Sequence, residues 1–164
     1  MNLSHYFSNH PKQKEIVLFL SKFCVLLTIV SYLGTLGYLF ILKDWIDFIP
    51  TFCSPLLAFV LVEVIRHFYS RPRPFETMQF TPLIDHETGK SFPSKHATSA
   101  LVIALALYPL FPIFGILMIF NALLVGMTRI LSGIHYPSDV LGGYVLATIC
   151  NYLVRFLFFI ILGG

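Results

Sequence analysis

The chain has 164 residues, of which 57% are hydrophobic and only 12% charged, with a formal net charge of +3. A soluble domain carries about 25% charged residues, so this composition cannot cover a water-facing surface, and a mean hydropathy of +0.80 equally excludes a disordered chain. The charge is too small and too dispersed to point to nucleic acid.

The apolar residues fall in long runs. Ile16–Leu42 is interrupted only by Lys22, no charged residue occurs between Ala97 and Thr128, and Val140–Gly164 contains only Arg155. Crossing about 30 Å of hydrocarbon takes roughly 20 apolar residues, so each run is long enough, and the chain reads as an integral membrane protein. The polar residues ahead of Ile16 and the length of the first run argue against a cleaved signal peptide, so the first span is expected to stay attached.

The predicted fold is all-α, a polytopic bundle of about five transmembrane helices with a polar loop on one face. In chain order the helices run from about Ile16 to Leu42, from Phe48–Pro50 to Ser70, from Ser94 to Tyr108, from Ile113 to Ile130, and from Pro137 to Leu162. Pro72 and Pro74 stop the second helix, Ser94 is placed to cap the third, Ser132-Gly133 ends the fourth, and Pro137 suits the first turn of the fifth. Between Arg71 and Lys95 lie four prolines, a glycine and seven charged residues, the expected surface loop. With no repeat or low-complexity tract, residues 1–164 are expected to form one domain. Cys24, Cys53 and Cys150 stand singly in apolar runs and read as small buried hydrophobes, not as metal or redox ligands.

Counting crossings brings the end of helix two, the start of helix three, the end of helix four and the start of helix five to one face. These ends carry Arg66, Arg71, Arg73, Lys95, His96, Arg129, His135 and Asp139. Any one interfacial arginine could simply anchor its helix. Grouped cations beside hydrocarbon are costly, however, and point to an anion that offsets them. Phosphate fits best, because guanidinium groups bind its oxygens through paired, charge-assisted hydrogen bonds, and the start of helix three at Ser94 adds backbone N–H groups and a positive dipole end. His135 and Asp139 add reactivity, since a carboxylate beside a neutral imidazole fixes its tautomer and frees the other nitrogen to attack.

Arg66-x6-Arg73-Pro74, Pro93-Ser94-Lys95-His96 and Thr128-Arg129-x5-His135-x3-Asp139 together resemble, in order and spacing, the three-part signature of the type 2 phosphatidic acid phosphatase (PAP2) superfamily. The resemblance covers roughly residues 66–139 and implies a membrane lipid phosphatase that needs no metal or other cofactor and passes through a phosphohistidine. Carried over, His135 is the nucleophile, Asp139 its orienting partner and His96 the acid for the leaving oxygen. Arg66, Arg73 and Arg129 bind the phosphoryl group, with Ser94 and the backbone around Lys95 completing the pocket. Arg66 stands where Lys is usual, Thr128 where Ser is usual and Lys95 where Gly is usual. The Arg71–Phe75 run is similar to that of bacterial undecaprenyl diphosphate phosphatases, and the phosphatidylglycerophosphatase B type is the other near resemblance. The usual family core has six spans against the five counted here, the missing one being the first.

The implied substrate is a lipid phosphate or pyrophosphate, with undecaprenyl diphosphate leading and phosphatidylglycerol phosphate, phosphatidic acid or a lipid A phosphate as alternatives. A carrier or channel for an anion is the reading from another class. The expected location is a bacterial cytoplasmic membrane with an extracytoplasmic site, although Lys12, Lys14 and Lys22 pull the same face toward the cytoplasm by the positive-inside rule. Arg71 falls outside the matched spacing and is expected to matter less than Arg73. Glu63 lies one helical turn before Arg66 and His67, where it is placed to pair with either, in support of the site or as simple charge neutralisation.

Overall fold

In the computed structural model, which describes Tyr6, residues 10–84 and residues 88–162, the described residues form helices without strands. In chain order these are α1 (Pro11–Leu42), α2 (Trp45–Phe68), a one-turn α3 (Pro74–Thr77), α4 (Lys95–Leu107), α5 (Pro112–Leu131) and α6 (Pro137–Ile161). Residues 85–87 of the expected polar loop lie outside the described residues.

All five helices of the sequence reading are present, with two differences. Helix α1 starts at Pro11 and α2 at Trp45, each several residues before the apolar run. Hydropathy marks where a chain meets lipid, whereas helix starts follow local capping: Pro11 occupies the first turn of α1, and Asp44 caps α2 by accepting the Asp47 N–H at 3.3 Å. The second difference concerns spans. Among the described residues four helices, α1, α2, α5 and α6, are long and apolar enough to cross a membrane, while α4 has 13 residues, about 20 Å of rise.

The shortness of α4 follows from its place. Ala97, Ala100, Val102, Ala104, Ala106 and Leu107 are all buried, so α4 is walled by protein and need not match the bilayer thickness. Its small residues let the outer helices approach closely. Gly143 on α6 makes the same accommodation: a Cβ there would stand 2.6 Å from Thr98 Oγ1 and 3.1 Å from the Ser94 carbonyl oxygen. Gly126 on α5 similarly receives Tyr144, whose hydroxyl donates to the Ala122 carbonyl at 2.8 Å.

The outward faces carry large apolar side chains, among them Phe19, Leu26 and Leu33 on α1, Ile113 and Phe120 on α5, and Val145 and Phe156 on α6. Such a belt is unfavourable in water and favourable in hydrocarbon. Some polar residues inside the bundle join neighbouring helices. Asn121 Nδ2 donates to the Cys24 carbonyl at 3.1 Å and to Thr28 Oγ1 at 2.9 Å, joining α5 to α1, and Arg155 donates to the Ala106 carbonyl at 2.7 Å near the end of α4. The chain is an integral membrane protein whose short central helix presents its N-terminus to the polar loop.

Candidate active site

Two proline-started helices position the chemistry. At α6, Pro137 takes the first helical position and Asp139 the third, so the Asp139 carboxylate folds back and accepts the Tyr136 N–H at 2.9 Å. That reversal also brings it to His135, whose Nδ1 lies 3.5 Å from Asp139 Oδ2. The spacing that would join these residues along a continuous helix joins them instead across a helix start. At α3 the arrangement repeats: Glu76 accepts the Arg73 N–H at 2.6 Å and the Gly89 N–H at 2.9 Å, tying the helix to the loop opposite. These two backbone hydrogen bonds hold the Glu76 carboxyl below the usual carboxylate range.

Arg73 is 2% exposed. Its Nε donates to the Gly89 carbonyl at 3.0 Å and its Nη1 to the Ile134 carbonyl at 3.0 Å, which sets Nη1 3.5 Å from His135 Nε2. Arg66, from the last turn of α2, donates through Nε and Nη2 to the Pro93 carbonyl at 2.9 and 2.7 Å. A cavity of about 210 Å³ is lined by Arg66, Arg73, Lys95, His96 and His135, with Glu63 and residues 88–90 completing it. Lys95 forms an ion pair with Glu63, so the carboxylate reaches across to α4 and not to Arg66 or His67 one turn along its own helix.

His135 is 2% exposed, and burial pushes its imidazole below the ordinary histidine value. The hydrogen bond and charge of Asp139 oppose that shift, while the positive charges of Arg73 and Arg66 reinforce it. With the Nδ1 proton assigned to Asp139, Nε2 carries the lone pair beside Arg73, the state a nucleophile requires.

Asp139 is held more firmly than the motif alone implies. Arg71 Nη1 donates to Oδ1 at 2.7 Å, and the Ser91 hydroxyl donates to Oδ2. Arg71 also reaches Ser138 Oγ at 2.8 Å and lies 4.2 Å over the Tyr136 ring. The sequence places Arg71 on the polar face but outside the matched motif, and it does not single out Ser91. The one available signal was the repeated Arg-Pro of residues 71–74, which places a second arginine next to the motif.

Two expected residues sit differently from the rest. Ser94 is the N-cap residue of α4, but its N–H donates to the Asp139 carbonyl at 3.0 Å and its buried hydroxyl has no hydrogen-bond partner, so it braces α6 against α4 instead of capping. Arg129 is 5% exposed with an unpartnered Nε, and it lines a separate groove with Ser21, Lys22 and Leu83, not the His135 cavity. The structure thus gathers Arg66, Arg73, Lys95, His96 and His135 around one cavity, places Asp139 behind His135, and leaves Ser94 and Arg129 outside the lining of that cavity.

The family described as the PAP2 superfamily matches residues 49–160. Undecaprenyl-diphosphatase BcrC of Bacillus subtilis is 39% identical over 98 residues, which are 60% of this chain and 51% of that protein. Phosphatidylglycerophosphatase B of the same species is 32% identical over 145 residues, 79% of this chain and 66% of that one. The crystal structure of Aquifex aeolicus LpxE superimposes with a TM-score of 0.72 at 26% identity, covering 85% of this chain and 84% of that one. The chain spans about half the length of the undecaprenyl-diphosphatase it matches. On the match across residues 49–160, the chain belongs to the PAP2 superfamily.

Proposed function

We propose that residues 1–164 act as one catalytic domain, a membrane lipid phosphatase that hydrolyses a lipid phosphate or pyrophosphate through a phosphohistidine on His135. The supporting observation is His135 Nε2 beside Arg73 at the wall of a cationic cavity, with Asp139 behind Nδ1. Arg66 and Arg73 hold the phosphoryl oxygens and oppose the charge that accumulates in the transition state, and Arg129 joins them by turning its side chain from the separate groove it lines. Nε2 attacks phosphorus, the bond from phosphorus to the lipid-side oxygen breaks, and His96 gives that oxygen a proton. Asp139 balances the positive charge on the phosphorylated imidazole. Water then cleaves the N–P bond, releasing inorganic phosphate and restoring His135.

Four cations, Arg66, Arg73, Lys90 and Lys95, against the single carboxylate of Glu63 form a lining suited to an anion and ill suited to a divalent metal, so the reaction is expected to run without one. Undecaprenyl diphosphate is the leading substrate, given the identity with the enzyme of that name, and phosphatidylglycerol phosphate, phosphatidic acid and lipid A phosphate follow. The proposed setting is a bacterial cytoplasmic membrane with the site on its outer side. An anion carrier would explain the arginines but has no use for a buried His–Asp pair. The test is phosphate release by purified protein from a panel of these lipids, with and without a chelator. Release that survives the chelator supports the reading; no release from any lipid, or loss restored by one divalent ion, refutes it.

A further inference from the structure

The cavity that holds His135 is small, but it is not isolated. A second cavity of about 300 Å³ lies between α1 and α4, and its walls include Val25, Ile29, Ala100 and Ile103. The two share Lys95 and His96. The first cavity is cationic and the second mostly apolar, so a lipid phosphate fits with its phosphoryl end against His135, its tail in the second, and the atoms joining them at Lys95 and His96.

What stands at that junction differs between substrates. In a phosphomonoester the atom beyond the leaving oxygen is the first carbon of the tail, which offers an ammonium nothing. In a diphosphate it is the second phosphorus, whose oxygens carry negative charge and gain more when the bridging bond breaks. The Lys95 ammonium is held near this junction from two sides, by its ion pair with Glu63 and by the Phe59 ring, whose centroid lies 5.8 Å from Nζ. The side chains of Lys95 and Glu63 are 39% and 43% exposed, so the pair is accessible to a ligand and can exchange partners at modest cost.

Resting on the lipid phosphatase reading, we infer that Lys95 is the residue that selects a lipid diphosphate over a lipid monophosphate, by binding the lipid-side phosphate across the junction of the two cavities. Glu63 is its positioning residue and holds the ammonium at the junction until that phosphate arrives. In the selected reaction Nε2 of His135 bonds to the terminal phosphorus, the bridging P–O bond breaks with its electron pair going to the lipid monophosphate, and Lys95 balances the charge that builds up there until His96 gives the leaving oxygen its proton. Water later takes the phosphoryl group from His135.

The test compares kcat/KM for farnesyl diphosphate and farnesyl monophosphate, which share one tail, in detergent micelles. Lys95→Met keeps the length and removes the charge; Lys95→Arg keeps the charge. The ratio of diphosphate to monophosphate kcat/KM is expected to fall about tenfold or more in Lys95→Met, as for loss of a charged hydrogen bond, and to recover largely in Lys95→Arg. Should Lys95→Met fail to fold, Lys95→Gln carries the same comparison. A ratio within twofold of wild type in the charge-removed variant overturns the inference. So does an equal loss on both substrates, which would assign Lys95 to the shared phosphoryl site. Wild-type protein that releases phosphate from neither farnesyl lipid but from another lipid of the panel overturns this inference alone, whereas release from no lipid overturns the phosphatase reading and this inference with it.

Discussion

Asp139→Asn tests the arrangement behind the nucleophile, because the change preserves shape and removes one charge. In the wild type the carboxylate takes hydrogen bonds from Arg71, Ser91 and the Tyr136 N–H, and faces His135 Nδ1 at 3.5 Å. An amide has only one accepting oxygen. Set toward Ser91, Tyr136 and His135, it leaves its NH2 against Arg71, which is 30% exposed and can turn toward solvent. The stability cost should then be about 1–3 kcal/mol, the range for an unsatisfied buried donor. The catalytic cost is larger. Two unit charges at this separation interact by about 5 kcal/mol at an effective dielectric of 20. Arg71 at 2.7 Å already neutralises part of the carboxylate, so a loss of about 2–4 kcal/mol, roughly 30- to 1,000-fold in turnover, is expected. The pH profile supplies an independent sign. Asp139 raises the His135 pKa against the lowering effects of burial, Arg73 and Arg66, so removing its charge lowers that pKa further. The acid limb of activity, where protonation of Nε2 blocks attack, should move to lower pH. The assay is phosphate release from pH 4 to 9, at about unit steps, with thermal unfolding in detergent as the check on folding. Turnover within threefold of wild type, or an acid limb that moves upward, would refute the orienting role of Asp139.

The other predictions concern the remaining groups. Arg66→Ala, Arg73→Ala and Arg129→Ala should each lower turnover by about 10²–10³-fold, as for loss of a preorganised donor, measured as kcat on one lipid substrate. Arg71→Ala should cost less, because Asp139 keeps Ser91 and the Tyr136 N–H; an indispensable Arg71 beside a dispensable Arg73 would reverse these roles. With an aryl phosphate, whose leaving group needs no proton, His96→Ala should regain a measurable part of its activity while His135→Ala stays inactive, and equal inactivity of both would remove the acid from His96. A membrane-impermeant thiol label on Thr88→Cys, with Cys24, Cys53 and Cys150 replaced, should react in intact cells; labelling only after permeabilisation would place the site in the cytoplasm.

Much of the candidate site was legible because its chemistry is written in short local segments. Arg73, His96 and His135 each sit beside a proline-marked turn or helix start, and alternating membrane crossings bring such ends together without any knowledge of packing. The contribution of Arg71 was not legible in the same way, since its partner Asp139 lies 68 positions away and the ion pair depends on how the loop folds. Arg129 shows the converse, because its motif spacing says nothing of which side of α5 it occupies, and the structure turns it toward Lys22 and Leu83. The early start of α1 was missed because Lys12, Lys14 and Glu15 lie outside any apolar run yet fit a solvent-exposed helical turn. Nor does hydropathy distinguish the shielded α4 from a lipid-facing span, as α4 is apolar from Ala100 to its end; only the burial of α4 on its several sides separates them.

The covalent role of His135 is the central claim, and rapid-quench trapping of the phosphoenzyme tests it most directly. Purified protein mixed with lipid substrate labelled in the transferred phosphate, quenched in base within the first turnover, should carry phosphate that survives base and is lost in acid, as a phosphohistidine does. The label should map to the peptide containing His135 and be absent from His135→Ala. Acid-labile phosphate on His135→Ala, or undiminished turnover by that variant, would contradict the account.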